Sequence, residues 1–234
     1  MNKWLLKLVL LCLATSYGLW KLSASTECQL FGELVHKVDT EQKLVALTFD
    51  DGPTPHYTAD ILRLLELYQV KATFFVTGAE IQRYMTQAKQ IVGAGHQLGN
   101  HSWSHQRMVF MSLEDINREI EGTDQQIRAA GFDGEILFRP PYGKKLLLLP
   151  WYLAQNNRTS IMWDIAPETF DGSPDDPQTM AEEVLAQVQP GSIVLLHLMY
   201  KSGDASRAAL PIIIKGLKDK GYRMVTVSEL LTAQ

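Results

Sequence analysis

The sequence has little cysteine. Its 234 residues include two, Cys12 in an apolar N-terminal segment and Cys28 shortly after that segment. Two cysteines so placed form neither a disulfide framework nor a cysteine-based metal site. The fold must therefore hold together without disulfide bonds.

The sequence also lacks long runs of one charge, internal repeats and low-complexity stretches. Its formal net charge is −4, with 21% charged and 46% hydrophobic residues. This balance is typical of one globular domain with a sizeable core. It gives no sign of a basic groove, so nucleic acid is not expected as a partner.

The N-terminal segment differs in composition from the remainder. Lys3 and Lys7 precede an apolar run that extends from Leu8 to Leu13 and continues more softly to Trp20. The pattern predicts an exported chain in which residues 1–25 are a signal peptide or an N-terminal membrane anchor. Residues 26–42 would be a leader and residues 43–234 the folded domain. This domain is expected outside the cytoplasm, either secreted or anchored to the membrane through the N-terminus.

After the leader, short apolar runs alternate with segments of helical period. Such alternation predicts βαβ units and a largely parallel sheet. About seven strands are predicted, over residues 45–49, 72–76, 97–99, 136–138, 160–163, 192–196 and 223–225. The helices are expected to start at Thr54-Pro55, Glu80, Ser112, Asp176-Pro177 and Ala205, with Gly221 ending the last of these. The leucine-rich stretch KKLLLLPWYLAQNN is predicted to be a buried helix. Either a barrel or a doubly wound sheet fits, and both collect chemistry at the C-terminal ends of the strands.

Two carboxylates stand at the first of these ends, in LTFDDGP, where Asp50 is followed by Asp51. Taken alone, the pair reads as a solvated turn with a helix cap. A second stretch, GNHSWSH, places His101 and His105 four residues apart, so that on a helical turn both imidazoles would face one metal ion. The alternative is a pair of surface or capping histidines. If one carboxylate joined the two histidines on a cation, its neighbour could stay ionised as a general base.

Two further strand ends carry polar residues. In FRPPYG, Arg139 could hold a carboxylate in a bidentate orientation, and the proline-stiffened turn could present the backbone N–H of Tyr142 to a pocket. The alternative is a surface arginine beside a turn. In IVLLHL, His197 is either a buried, satisfied histidine or a proton donor at a pocket mouth. Together the four strand ends suggest metal-assisted hydrolysis of an acyl group.

These motifs resemble those of the NodB-type polysaccharide deacetylases, the family-four carbohydrate esterases. The similarity runs from about Lys43 to Leu231, and TFDDGP, HSWSH, RPPYG, a Trp-Asp segment and LLHL follow in the family's order. The resemblance implies an α/β fold, a distorted (β/α) barrel of about seven parallel strands of the NodB-homology type. It also implies one divalent metal ion, with zinc expected and cobalt as the alternative.

Residue by residue, the resemblance assigns the general base to Asp50. It assigns the metal ligands to Asp51, His101 and His105. Water activated by Asp50 would attack an acetamide and release acetate from an N-acetylated glycan, such as peptidoglycan or a chitin-like polymer.

The remaining roles follow from the same resemblance. Arg139 would orient Asp50, and His197 would protonate the leaving amine. The Tyr142 N–H, in the turn that begins with Pro141, would help to stabilise the oxyanion.

One motif departs from the family pattern. After the fifth strand the family runs Trp-x-x-Asp-x-x-Asp-Trp, and its later Asp supports the catalytic histidine. In WDIAPETF those places hold Ala166, Thr169 and Phe170. Glu168 or Asp171 could substitute as the partner of His197, and Phe170 could form an apolar wall of the substrate pocket.

Two other functions fit the sequence. The missing aspartate would suit a catalytically silent carbohydrate-binding relative that kept its metal site for stability. The same scaffold could also act as a deformylase or an amidohydrolase on a non-sugar C–N bond. Retention of Asp50, Arg139 and His197 favours the deacetylase over the silent relative.

Overall fold

The computed structural model describes residues 3–169 and 176–233. Within these residues the chain forms seven strands: β1 (Leu34–Val35), β2 (Leu44–Asp50), β3 (Thr73–Val76), β4 (Gln97–Asn100), β5 (Ser160–Ile161), β6 (Ser192–His197) and β7 (Arg223–Val225). The helices in the same residues are α1 (Lys3–Ser23), α2 (Thr58–Leu67), α3 (Gly78–Arg83), α4 (Met85–Gly93), α5 (Leu113–Ala129), α6 (Leu148–Gln155), α7 (Pro177–Gln187), α8 (Asp204–Asp219) and α9 (Val227–Leu231).

The strands pair in parallel around β2. One edge of β2 pairs with β6, whereas β7 pairs with its first half and β3 with its second half. Beyond β3 lies β4, and β1 pairs with β5. Single bridges at Phe138 connect β4 to β5, and a bridge from Ile165 to Val194 connects the segment after β5 to β6. The circuit therefore closes partly through one-residue pairings, which confirms the predicted distorted (β/α) barrel.

The central strand β2 is buried along its whole length. Because side chains alternate between the two faces of a strand, Leu47 and Phe49 pack into the cluster formed with the outer helices. The opposite face carries Ala46, which packs with Ile161 and Ile193. Asp50 has the parity of this second face. It is therefore directed into the barrel at the carboxyl end of the strand.

Several predicted helix signals are confirmed. The Ser112 side chain accepts a hydrogen bond from Asp115 N at the start of α5, and Asp176 caps α7 through Thr179 N. Gly221, with φ of +80°, follows the end of α8. The leucine-rich stretch forms α6, which buries Leu149 and Leu153 as predicted.

Other local predictions were wrong. Residues 136–138 form no strand, because Phe138 alone makes bridges and Pro140 has no N–H to extend the ladder. The helix expected from Thr54-Pro55 begins at Thr58, after Tyr57, and has no side-chain cap. The single helix expected to start at Glu80 is instead two helices, α3 and α4, separated at Tyr84, whose ψ is +45°. The short strand β1 was not predicted.

The N-terminal segment is a 21-residue helix, α1, long and apolar enough to cross a membrane. None of its apolar 18-residue window is buried against the rest of the chain. Its last residue, Ser23, is fixed to the domain, because the Ser23 carbonyl accepts a hydrogen bond from Lys145 N at 3.0 Å.

Candidate active site

The predicted site residues meet at one end of the barrel. Asp50 ends β2 and His197 ends β6, and the two are paired in the sheet register. His101 directly follows β4, and Arg139 directly follows the bridging residue Phe138. Since parallel strands bring their carboxyl ends to the same edge, four distant sequence segments share this site.

Arg139 is fully buried beneath Asp50. Its Nη1 donates to Asp50 Oδ1 at 2.7 Å and to Thr48 Oγ1 at 2.8 Å. Its Nε and Nη2 donate to the carbonyls of Ile161 at 3.2 Å and Met162 at 3.0 Å. The expected bidentate pairing was therefore wrong, since one guanidinium nitrogen binds the carboxylate and the others bind the barrel backbone.

The surroundings of Asp50 keep it ionised. Burial raises the pKa of its carboxyl, but the charges of Arg139, His101 and His197 and the Arg139 hydrogen bond outweigh burial and hold the pKa below its usual value. The guanidinium of Arg139 also lies 4.0 Å from the centre of the Phe75 ring. Asp50 is thus a fixed, charged acceptor inside the barrel mouth.

A cluster of possible metal ligands lies beside Asp50. The ligand atoms of Asp51, His101 and His105 all lie within 4.8 Å of one another. His105 Nε2 is 3.4 Å from Asp51 Oδ1, and ligands about 2.0–2.1 Å from a tetrahedral zinc ion stand about 3.4 Å apart. The three residues fit a divalent cation in number, chemistry and spacing.

The orientation of His101 supports the same fit. Its Nδ1 lies 2.8 Å from the carbonyl oxygen of Arg139 and so must carry the proton that is donated, which leaves Nε2 as an electron-pair donor. Burial lowers the pKa of this imidazole and outweighs the opposing charges of Asp50 and Asp51. The ring is therefore neutral, as metal ligation requires.

The two histidines lie on a loop and not on the helical turn that their spacing predicted. Ser102 and His105 both have positive φ, at +66° and +57°. Asn100 Oδ1 accepts from Ser102 N at 2.8 Å, and Ser102 Oγ accepts from His105 N at 3.0 Å. This hydrogen-bonded loop brings the two ring centres to 4.9 Å. Residues at positive φ often mark functional sites.

A carboxylate that the sequence analysis did not single out supports the Asp51 turn. Glu80 Oε2 accepts from Gly52 N at 2.8 Å, and Glu80 Oε1 accepts from the Tyr200 hydroxyl at 2.5 Å. Asp51 itself has φ of +74° and donates its N–H to the Phe75 carbonyl at 3.0 Å. Glu80 lies 28 residues after Gly52, whose N–H it accepts, so no local pattern pointed to it.

The RPPYG turn borders the metal-ligand cluster. Pro141 is buried at the start of the short 3₁₀ turn Pro141–Gly143, and Tyr142 lies in that turn with φ of +57°. The ring of Tyr142 is half exposed and its centre is 4.6 Å from that of His105. Phe170, expected to form a pocket wall, and Asp171 lie outside the described residues.

His197 has a carboxylate partner in spite of the departure from the family pattern. Glu168 accepts from His197 N at 2.8 Å through Oε1 and contacts His197 Nδ1 through Oε2. Ser206 donates its hydroxyl to the same Glu168 carboxylate. Burial lowers the pKa of His197, but the Glu168 hydrogen bond and the charges of Asp50, Glu168 and Asp51 raise it overall to about 9. Of the two substitutes considered from the sequence, Glu168 fills the position.

An open cleft borders Asp51 and the Glu168–His197 pair. It has a volume of about 320 Å³ and is lined by Asp51, Glu168, Met180, His197, Tyr200, Ser202 and Ser206. A buried Asp–Arg pair, a three-ligand cluster and a carboxylate-bound histidine together suit metal-assisted hydrolysis of an acyl group.

Fold and site together thus define a class of barrel hydrolase, and comparison with known proteins gives the family. The model of the polysaccharide deacetylase family matches residues 37–159, more than half of the chain. The chain belongs to this family, as its motifs predicted.

The chain is similar to several proteins named as peptidoglycan deacetylases. The peptidoglycan-N-acetylmuramic acid deacetylase PdaC of Bacillus subtilis is 37% identical over 193 residues, which are 82% of this chain and 40% of PdaC. A peptidoglycan-N-acetylglucosamine deacetylase of Bacillus cereus is 33% identical over 206 residues, which are 88% of this chain and 96% of that protein. The chain therefore spans less than half of the first relative and nearly all of the second.

The fold of the chain is similar to that of a solved structure. A mutant of BA3943, a pseudoenzyme of carbohydrate esterase family 4, with restored enzymatic activity superposes with a TM-score of 0.75 at 31% identity. The match covers 85% of this chain and 71% of that one. Because the fold is common to active and inactive members, activity must be argued from the residues of the site.

Proposed function

We propose that this chain is a metal-dependent deacetylase that removes N-acetyl groups from the sugars of peptidoglycan and releases acetate. The observation that carries the proposal is the different surroundings of two adjacent carboxylates. Asp50 is hydrogen-bonded to the buried Arg139, whereas Asp51 lies with two histidines in a cluster that fits a cation. Asp50 is thereby available to accept a proton and Asp51 to bind a metal ion.

The proposed metal site consists of Asp51, His101 and His105, with zinc as the expected ion and cobalt as the alternative. When bound there, a divalent cation supplies Lewis acidity to an acyl carbonyl and to the attacking water. The donor set of two imidazoles and one carboxylate leaves coordination positions for both.

Asp50 is the proposed general base. Its Oδ1 is held by Arg139, and its Oδ2 lies 3.5 Å from His101 Nε2, on the side of the ligand cluster. There it can accept a proton as water adds to the acetamide carbonyl. Arg139 fixes the orientation of the carboxylate and lowers its pKa, so that the base is ionised before the reaction begins.

His197 is the proposed general acid. Its Nδ1 is engaged by Glu168 and the residue lines the cleft, so Nε2 is the nitrogen left to donate a proton to the departing nitrogen. The products are acetate and a free amino sugar, so one water is consumed and no other reactant is needed. The N–H of Tyr142, in the Pro141 turn, is the proposed donor to the developing oxyanion.

The substrate and location are inferred from the relatives and from α1. Both relatives named above act on peptidoglycan according to their names. The apolar helix α1 is consistent with export and with a tether to the outer side of a membrane. We infer that the enzyme works outside the cytoplasm on cell-wall glycan.

The test measures acetate release from peptidoglycan and from N-acetylglucosamine oligomers by the chain in detergent. Activity should disappear with a chelator, return with zinc or cobalt, and be absent from the Asp50→Asn variant. Release of formate from N-formyl sugars or small amides in place of acetate would favour the deformylase alternative. Tight metal binding with no product from any substrate would favour the silent relative.

A further inference from the structure

The end of helix α1 and the loop after the metal-ligand histidines form an apolar groove with basic residues at its rim. The groove has a volume of about 520 Å³. Its lining includes Leu19 and Trp20 from the helix and Arg107, Val109, Phe110 and Lys144 from the domain. Phe110 is the most exposed large apolar side chain of the described residues, at 91%.

We propose that this groove is a membrane-contacting surface that receives the outer leaflet of an anionic bilayer. The inference rests on the proposed tether, with α1 retained as a transmembrane helix. It adds to that tether a fixed orientation of the catalytic domain.

The position of the groove relative to the bilayer follows from the length of α1. At about 1.5 Å per residue, the 21 residues of α1 extend about 32 Å, close to the ~30 Å hydrocarbon core of a bilayer. Trp4 lies near one end of the helix and Tyr17 and Trp20 near the other, the interfacial positions that such rings prefer. Phe110 shares a groove with Trp20 and Leu19. It therefore lies at the level of the lipid headgroups and the first acyl carbons.

The charged side chains of the groove suit the same partner. Lys144 Nζ lies 4.1 Å from the centre of the Trp20 ring, and Arg107 lies over the Tyr142 ring at 4.8 Å. Basic groups beside an apolar surface attract anionic lipid headgroups and can extend toward their phosphates. Apolar Phe110 and Val109 beside the cationic side chains of Lys144 and Arg107 are typical of a surface that contacts the membrane–water interface.

The domain is held against the helix end by two hydrogen bonds from Lys145. Lys145 N donates to the Ser23 carbonyl at 3.0 Å, and Lys145 Nζ donates to the Ser25 carbonyl. Two contacts so close to the end of the span restrict rotation of the domain about the anchor.

This placement brings the proposed catalytic site close to the membrane. The Tyr142 ring contacts both the Arg107 guanidinium and the His105 ring, whose centre is 4.6 Å away. One aromatic side chain thus contacts both a groove residue and a proposed metal ligand. The preferred substrate would be glycan that lies at the bilayer surface.

The test places the full chain in nanodiscs of phosphatidylethanolamine and phosphatidylglycerol that contain spin-labelled lipids. Cys12 and Cys28, both exposed and free, are replaced by Ser, and a fluorophore is attached to Phe110→Cys or to Val109→Cys. The control is Leu67→Cys, because Leu67 is 75% exposed and ends the helix that leads to the amino end of β3.

Lipid spin labels near the headgroup should quench the fluorophore at positions 110 and 109 severalfold more than at position 67. Replacing phosphatidylglycerol by phosphatidylcholine should reduce that difference. Equal quenching at all three positions in variants with unchanged melting curves would overturn the proposal. So would an intact mass showing that the membrane-isolated chain lacks α1. No substrate is present in this test, so its failure would leave the proposed deacetylase activity untouched, and the reverse also holds.

Discussion

Glu168 contacts His197 at two points, accepting the backbone N–H at 2.8 Å with one carboxylate oxygen and facing Nδ1 with the other. Glu168 stands one residue before Thr169, where the family pattern has its aspartate. The short 3₁₀ turn Pro167–Thr169 and the longer glutamate side chain together bring the carboxylate to the histidine.

The pH dependence of activity should change when this partner loses its charge. Glu168 helps to raise the pKa of His197 to about 9, and a proton donor must be protonated, so activity is expected to fall as the pH rises through that value. In Glu168→Gln the pKa of His197 should be lower, and the alkaline limb of the kcat/KM profile should move to lower pH. Ser206→Ala, which keeps the carboxylate, serves as the control. An alkaline limb that stays in place in Glu168→Gln would contradict the assignment of His197 as the acid.

Substitutions of the two adjacent aspartates should have different effects. Asp50→Asn should retain the bound cation and lose about 10²–10⁴-fold in kcat, the usual contribution of general-base catalysis. Asp51→Asn should lose cation, because it removes a charged ligand from the cluster. Elemental analysis of purified protein beside acetate release measures both quantities. Loss of metal from Asp50→Asn with retention in Asp51→Asn would reverse the two roles.

Arg139 should contribute strongly to stability as well as to activity. Arg139→Met leaves the buried Asp50 carboxylate without its cation, a change that costs about 3–5 kcal/mol when one member of a buried pair is removed. Urea unfolding measures the loss. Arg118→Met, in the exposed pair with Asp115, should leave the midpoint nearly unchanged.

A double-mutant cycle tests the origin of that loss. Asp50→Asn combined with Arg139→Met should be less destabilised than the sum of the two single variants, because the uncompensated charge is absent. Simple additivity would show that the Arg139 contribution comes from its contacts with the barrel backbone and not from Asp50.

Glu80 should affect metal affinity without touching the metal. Its removal in Glu80→Ala frees the Gly52 N–H and loosens the turn that carries Asp51, and loss of such an outer contact typically weakens metal binding about 10–100-fold. Competition with a chromophoric chelator measures the affinity. Tyr200→Phe removes only the hydrogen bond from the Tyr200 hydroxyl and keeps those that Glu80 accepts from Gly52 N and the Thr77 hydroxyl, so its affinity should stay closer to that of the parent chain. Equal affinity in Glu80→Ala and the parent would exclude a positioning role.

Much of the fold could be predicted from the sequence because the features that predict strands and helix starts are local. Strand β7 was predicted with its observed limits, and Ser112 and Asp176 cap their helices through side chains a few residues from the donors they satisfy. The segment 136–138 failed as a strand because its number of bridges depends on neighbours remote in sequence.

The sequence by itself determined which chemical groups are present and that they follow strand ends. Both the motifs and the alternation of apolar runs with helical segments can be recognised from the order of residues alone. It left open what each group touches. The tertiary structure decided that Arg139 binds Asp50 through one nitrogen, that Glu168 and not Thr169 meets His197, and that Glu80 supports the Asp51 turn. Distance between side chains depends on how the strands close into a barrel, and closure is a property of the whole chain.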